Sequence, residues 1–194
     1  METTLLIAAG GTGGHLFPGI AVADEVRRRD ASVRVVFVGT PKGLESRLVP
    51  QAGYPLELLP ILPLNNVGVV RTLKGLLALP RALFAAIALV RRLKPKAVLG
   101  IGGYAGGPVV LVAACMGIRT VILEPNATPG FTNRILRPFA DAAACAYEPA
   151  LAHYPGKGVL TGNPVRGGFA PRAPQDRGLP TKVPWPCRRT RKPS

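Results

Sequence analysis

Leu5-Leu6-Ile7-Ala8-Ala9-Gly10-Gly11-Thr12-Gly13-Gly14-His15-Leu16-Phe17-Pro18 reads as a buried strand, a glycine loop and the opening of a helix. Glycines let the backbone turn sharply and bring bare N–H groups close to a ligand. The helix start that follows adds partial positive charge, so an anionic group such as a phosphate or diphosphate is the natural occupant. A glycine turn that merely joins strand to helix would explain the loop without a ligand. Four glycines and a histidine in six residues favour a site.

The same stretch narrows the chemistry. A dinucleotide-binding unit wants Gly-x-Gly-x-x-Gly and then an acid at the end of its second strand. Here the sixth position from Gly11 is Leu16, and no acid follows Val38 directly. A nicotinamide or flavin cofactor is not expected. The loop ends in His15-Leu16, where a phosphate-binding loop of the nucleotide triphosphatases needs Lys followed by Ser or Thr, so ATP hydrolysis is not expected either.

Outward from this stretch the pattern alternates strand and helix, which implies a parallel sheet with helices on both faces. The spacing predicts a helix over 17–29 closed by Arg27-Arg28-Arg29, a strand over 33–38, a short helix over 43–50 and a strand over 56–59. Residues 62–70, with Asn65-Asn66, read as an exposed loop. The run from Val69 to Arg92 reads as a helix packed on the sheet. Its longest uncharged part, Ala82 to Val90, is far below the roughly 20 residues a membrane span requires. Two readings of its outer face stay open: a solvated crossover helix, or one whose part from Leu73 to Phe84 also meets lipid, with Arg71, Lys74, Arg81, Arg91, Arg92 and Lys94 near headgroups.

A strand over 96–101 then runs into a second glycine stretch, Gly102-Gly103-Tyr104-Ala105-Gly106-Gly107-Pro108, with a helix expected over 109–116. Two such units put two helix starts at the carboxyl edge of the sheet, where open α/β sheets bind ligands. A tight packing turn is the competing explanation for the second stretch. Further strands are expected over 119–123, 142–146 and 158–160, with a helix reaching Arg137 between the first two. Glu124 and Asn126, directly after a buried strand, sit where substrate hydroxyl or amide groups could be read, whereas His153 reads as a surface helix residue.

With 194 residues, 47% of them hydrophobic, the chain suits one domain and a tail. Its net charge of +15 favours anionic partners, but aromatics make up 6% and do not interleave with the cations, so nucleic acid is not expected as a partner. Cys115, Cys145 and Cys187 are odd in number and lack metal-type spacing, which predicts reduced thiols and neither a disulfide framework nor a metal site. The N-terminus suggests no export signal. Periodicity stops after Gly167, and residues 168–194, with six prolines and seven Lys or Arg against one acid, are expected to be a disordered basic tail.

Four motifs in order now carry a family resemblance. Gly10-Gly11-Thr12-Gly13-Gly14-His15 with Phe17-Pro18, Gly102-Gly103-Tyr104 with Gly106-Gly107-Pro108, Glu124-Pro125-Asn126-Ala127 with Pro129-Gly130-Phe131-Thr132-Asn133, and Gly162-Asn163-Pro164-Val165-Arg166 resemble the MurG family. These are the peptidoglycan N-acetylglucosaminyltransferases that convert lipid I to lipid II. The resemblance covers residues 1–167 and implies the Rossmann-like N-terminal half of a GT-B glycosyltransferase, a doubly wound α/β sheet. It implies that this half takes undecaprenyl-linked lipid I at the cytoplasmic face of the bacterial inner membrane, as a peripheral protein on an anionic surface. The domain that holds most of UDP-N-acetylglucosamine in the family is expected to be absent here, so that a separate C-terminal donor domain is a possible partner. No Asp-x-Asp metal motif is present. Where many members resemble His-Glu-Gln-Asn, this chain has Leu123-Glu124-Pro125-Asn126.

His15 is the expected catalytic base, because a helix N-terminus disfavours the imidazolium and leaves a neutral ring able to accept a proton near pH 7. A histidine that only hydrogen-bonds its own loop is the competing explanation. Thr12, Gly13 and Gly14, with Gly103, Tyr104 and Gly106, are expected to cradle the acceptor diphosphate or approach the donor. The resemblance places Asn126 and Arg166 at positions that contact the sugar nucleotide. A non-catalytic acceptor subunit of a split glycosyltransferase and an inactive truncated fragment stay open as alternatives to an active transferase.

Overall fold

The structure, a computed structural model, describes residues 3–10, 12–61 and 69–165, with 69–76 and 104 described by backbone alone. Gly11, the loop expected over 62–68, Arg166 and the expected tail over 168–194 lie outside the described residues, as do the side chains of Leu73, Lys74 and Tyr104.

Seven strands, β1 (Thr3–Ala9), β2 (Val33–Gly39), β3 (Leu56–Leu58), β4 (Ala97–Gly102), β5 (Arg119–Glu124), β6 (Ala142–Cys145) and β7 (Gly158–Leu160), form one parallel sheet in the order β3-β2-β1-β4-β5-β6-β7. Six helices join them: α1 (Gly13–Arg29), α2 (Glu45–Gln51), α3 (Val69–Leu93), α4 (Gly103–Cys115), α5 (Phe131–Leu136) and α6 (Glu148–Leu151). This is the doubly wound arrangement expected from the alternation of strands and helices.

Strand side chains alternate between two cores, as the period of two requires. Ile7, Ala9, Val35, Phe37, Leu99 and Ile101 pack with Leu16, Ile20 and Ala23 of α1 and Val49 of α2. Leu6, Ala8, Val36, Val38, Val98 and Ile122 face the other way, onto Ala86, Leu89 and Val90 of α3 and Val109, Val110 and Ala113 of α4. A sheet covered on both faces explains why its central strands read as nearly continuous apolar runs.

Two helices begin earlier than the sequence suggests. The glycine stretch after β1 is helical from Gly13, not from Phe17, and the one after β4 is helical from Gly103, not from residue 109. Glycine's poor helix propensity argues against such starts. At the second start a Cβ on Gly103 would overlap the carbonyl of Gly10, so the close approach of the two stretches outweighs propensity there. His153 is on the surface as expected, but in the turn after α6 rather than in a helix.

The order reverses at the centre. From β1 the chain moves outward to β2 and β3, then returns to β4 on the other side of β1 and proceeds to β7. The gap between the carboxyl ends of β1 and β4 is the switch point where open α/β sheets form a ligand crevice. An irregularity at Ala8/Ala9 brings Ala9 opposite Gly102 there.

Candidate active site

Three strand ends border this crevice, and each brings a different group. After β1, the backbone N–H groups of His15 and Leu16 both point back to the carbonyl of Thr12, at 3.2 Å. Thr12 occupies the N-cap with extended backbone but does not cap through its side chain. Its Oγ1 instead lies 3.0 Å from His15 Nδ1, a hydrogen bond in which either atom donates according to the ring's tautomer. Thr12 and Gly14 are exposed, and a Cβ added to Gly14 would meet nothing closer than Thr12 Oγ1 at 3.8 Å. A Cβ on Gly13 would touch the ring of Phe17, at 3.0 Å. The space over Gly14 is the opening that a loop receiving an anion requires.

After β4 the glycines do other work. Gly102 and Gly103 have φ of +99° and +70°, and a Cβ on Gly103 would overlap the carbonyl oxygen of Gly10. Gly106, expected from the sequence to approach a ligand, is buried in α4, with the carbonyl oxygen of Ala8 the nearest atom to its missing Cβ, at 3.7 Å. In this structure it packs α4 on β1. Gly103 likewise serves the contact between the two glycine stretches. Tyr104's side chain and Arg166 lie outside what is described.

After β5, Glu124 is fully buried. Its Oε1 accepts from the backbone N–H and the side-chain Nδ2 of Asn126, at 3.1 and 3.0 Å. Its Oε2 accepts from Gly130 N at 3.3 Å, Asn133 Nδ2 at 2.8 Å and Tyr154 Oη at 3.4 Å. A carboxylate taken from water needs such donors to offset its desolvation. Having them from the protein, Glu124 holds the turn over 125–130 and the start of α5 in place. Asn126 is exposed beside it, its amide rotation fixed by the bond to Glu124.

Burial depresses the pKa of His15 below its ordinary value, and the negative charge of Glu124 opposes the shift without cancelling it. The neutral ring expected from the helix terminus is therefore the form at pH 7, although the dominant cause is desolvation. The ring edge bearing Nε2 faces Gly102: a Cβ there would lie 3.2 Å from Nε2 and 3.5 Å from Asn133 Oδ1. Asn133 is the functional candidate that sequence reasoning placed in a motif without assigning it a role.

A second buried acid was not foreseen at all. Glu45, 1% exposed, accepts from the backbone N–H and hydroxyl of Thr40 at 2.8 and 2.9 Å. A Cβ on Gly39 or Gly43 would overlap it, and one on Gly10 would lie 3.2 Å from its Oε1. Glu45 thus braces the end of β2 against the first glycine stretch.

Comparison with known proteins agrees with this geometry. Residues 5–145 match the glycosyltransferase family 28 N-terminal domain. Over 163 residues the chain is 53% identical to the UDP-N-acetylglucosamine--N-acetylmuramyl-(pentapeptide) pyrophosphoryl-undecaprenol N-acetylglucosamine transferase of Myxococcus xanthus, covering 84% of this chain and 43% of that relative. The protein of the same name from Bdellovibrio bacteriovorus is 45% identical over 167 residues, covering 86% of this chain and 47% of its own. The crystal structure of Acinetobacter baumannii MurG matches with a TM-score of 0.72 and 34% identity, covering 83% of this chain and 46% of that one. The chain spans less than half the length of these relatives.

Proposed function

The chain belongs to glycosyltransferase family 28 by its N-terminal domain, and from that premise we propose that it forms the acceptor half of an N-acetylglucosaminyltransferase. The reaction is inverting transfer of N-acetylglucosamine from UDP-N-acetylglucosamine to undecaprenyl-linked lipid I, giving lipid II. The observation that carries this reading is His15, held neutral by burial at the start of α1 and beside the switch point.

In the proposed step the acceptor hydroxyl gives its proton to His15. The freed oxygen forms the new glycosidic bond as the bond from the donor sugar to its diphosphate breaks, with the electron pair leaving on UDP. The exposed N–H groups at the start of α1 face the acceptor's diphosphate, where partial positive charge holds it in line for attack. Asn126 faces the donor side. The donor itself is held by the part of the family enzyme to which this chain does not align. No metal or cofactor enters the scheme.

For the membrane, α3 supplies the relevant surface. Leu77 and Phe84 are 74% and 72% exposed, and with Arg81, Ala88 and Arg91 they fall on one helical stripe of apolar and cationic residues. Such a stripe suits a peripheral contact with anionic lipid. Among the described residues no helix is long and apolar enough to cross a membrane. Loss of sedimentation with anionic vesicles in Leu77→Ser/Phe84→Ser, at unchanged Tm, would support the contact; unchanged sedimentation would remove it.

The test of the transferase reading is transfer of radiolabelled N-acetylglucosamine to a lipid I analogue, with the chain alone and with a separately supplied donor half from a relative. Turnover is expected on mixing, and His15→Ala is expected to lower it by about 10²–10⁴-fold, the usual worth of a general base. Acceptor binding without turnover in any mixture would favour a non-catalytic acceptor subunit.

A further inference from the structure

Asn133 holds a buried polar atom that no group among the described residues satisfies. The residue is 2% exposed, and its Nδ2 donates to Leu123 O at 3.2 Å and to Glu124 Oε2 at 2.8 Å. Both partners are acceptors, so the amide cannot be turned round without setting oxygen against oxygen. Its Oδ1 is thereby aimed away from them, and among the described residues it is the one buried side-chain atom without a hydrogen-bond partner. A buried carbonyl left unpaired is unfavourable and calls for a donor.

The site provides one. His15 Nε2 and Asn133 Oδ1 border the same small space over Gly102, within 3.2 and 3.5 Å of the point where a side chain there would begin. Gly102 has none, and the gap between ring and amide stays open. On the other side of the ring, Nδ1 is engaged with Thr12 Oγ1. With Nδ1–H donating to Thr12, Nε2 carries a bare lone pair, and it borders the space over Gly102 together with the bare carbonyl without being hydrogen-bonded to it. A proton arriving at Nε2 gives the ring a donor, and the nearest unused acceptor bordering the same space is that carbonyl.

We propose that Asn133 is a positioning residue for His15: its carbonyl, aimed by Glu124, receives the N–H formed when His15 takes a proton at Nε2. Glu124 and Asn133 together set the proton affinity of the ring, Glu124 through its charge and Asn133 through a hydrogen bond that the neutral ring does not make. The other groups are placed differently. Cys145 on β6 and Tyr154 beyond α6 are coupled to Glu124, and Glu45 of α2 sits against Gly10 on the side of β2. This inference rests on the reading of His15 as the proton acceptor of the site, but its test needs neither donor nor acceptor.

The chain has two histidines, so His153→Asn leaves His15 as a single reporter for NMR titration. In that background Asn133→Ala is expected to lower the His15 pKa by about one unit, a tenfold loss of proton affinity. Comparing Glu124→Gln with Glu124→Gln/Asn133→Ala removes the Glu124 charge from the test: the fall caused by Asn133→Ala is expected to persist in that background, whereas a role limited to holding Glu124 would abolish it. Should any variant fail to fold, the unsubstituted residue still reports: at a pH below the titration, the His15 Nε2 proton is expected to exchange slowly and to show a cross-peak to the Asn133 side-chain amide. An unchanged pKa in a folded Asn133→Ala chain, or an Nε2 proton that exchanges freely, would overturn the proposal. Either result leaves the transfer assay to judge the transferase reading separately.

Discussion

The two glycine stretches share a sequence signature and follow neighbouring strands, β1 and β4, yet they carry out different physical tasks. At the first, the missing Cβ of Gly14 leaves open, exposed space. At the second, the missing Cβ of Gly103 makes room for the carbonyl of Gly10, and Gly106 is buried against β1. The second stretch is bare where the first approaches it; we propose that the first is bare so that a ligand can approach. Glycine content alone does not separate ligand loops from packing contacts; what lies above each α-carbon does.

Substitutions that add one methyl group break or sharpen this contrast. Gly103→Ala should have the larger effect on stability, because it combines about 1–2 kcal/mol of left-handed strain with a backbone overlap that only movement relieves. A loss of about 3 kcal/mol or more is expected, a fall in Tm of roughly 6–12 °C for a domain of this size, with transfer lost alongside it. Gly14→Ala should do the reverse. Alanine favours a helix over glycine by up to about 1 kcal/mol, so Tm should hold or rise slightly, while affinity for a diphosphate-bearing acceptor falls about tenfold. If Gly103→Ala kept its Tm, or Gly14→Ala lost stability and affinity in parallel, the division of labour would not stand.

A smaller effect follows from His15. Burial lowers its folded pKa below 6.5, so the unfolded chain binds a proton more readily than the folded one as pH falls through that value. Its contribution therefore leaves stability intact above pH 6.5 and subtracts from it on acidification, until the pH passes below the folded pKa. The decrease in Tm between pH 7.5 and 5.5 should be smaller in His15→Ala than in the unsubstituted chain. An equal decrease would mean that His15 is not desolvated.

The sheet was legible because burial on both faces writes strands as apolar runs, and the histidine was legible because a glycine loop before a helix is a local pattern. What was missed depends on contacts between distant parts of the chain. The helical starts at Gly13 and Gly103 run against local propensity, and at Gly103 the close approach of Gly10 requires the bare α-carbon. Glu124 was legible as a crevice residue because strand ends line the crevice, but its five donors, from the turn after β5, from α5 and from Tyr154, were not. Nothing local marks Glu45 as buried, since its cavity is formed by Gly39 at the end of β2 and by Gly43 and Gly10 in the loops after β2 and β1. Asn133 stands nine residues beyond Glu124, and only the fold reveals that its amide is locked and its carbonyl is not used.

The central claim is that the first stretch, not the second, meets the ligand. Backbone amide shifts on addition of a short-chain polyprenyl diphosphoryl-N-acetylmuramyl pentapeptide test it most directly. Saturable shifts centred on Thr12, Gly13, Gly14 and His15, with the buried amides of Ala105 and Gly106 nearly still, are the expected result. Shifts centred on Ala105 and Gly106, or none at either stretch while the acceptor binds elsewhere, would contradict the account.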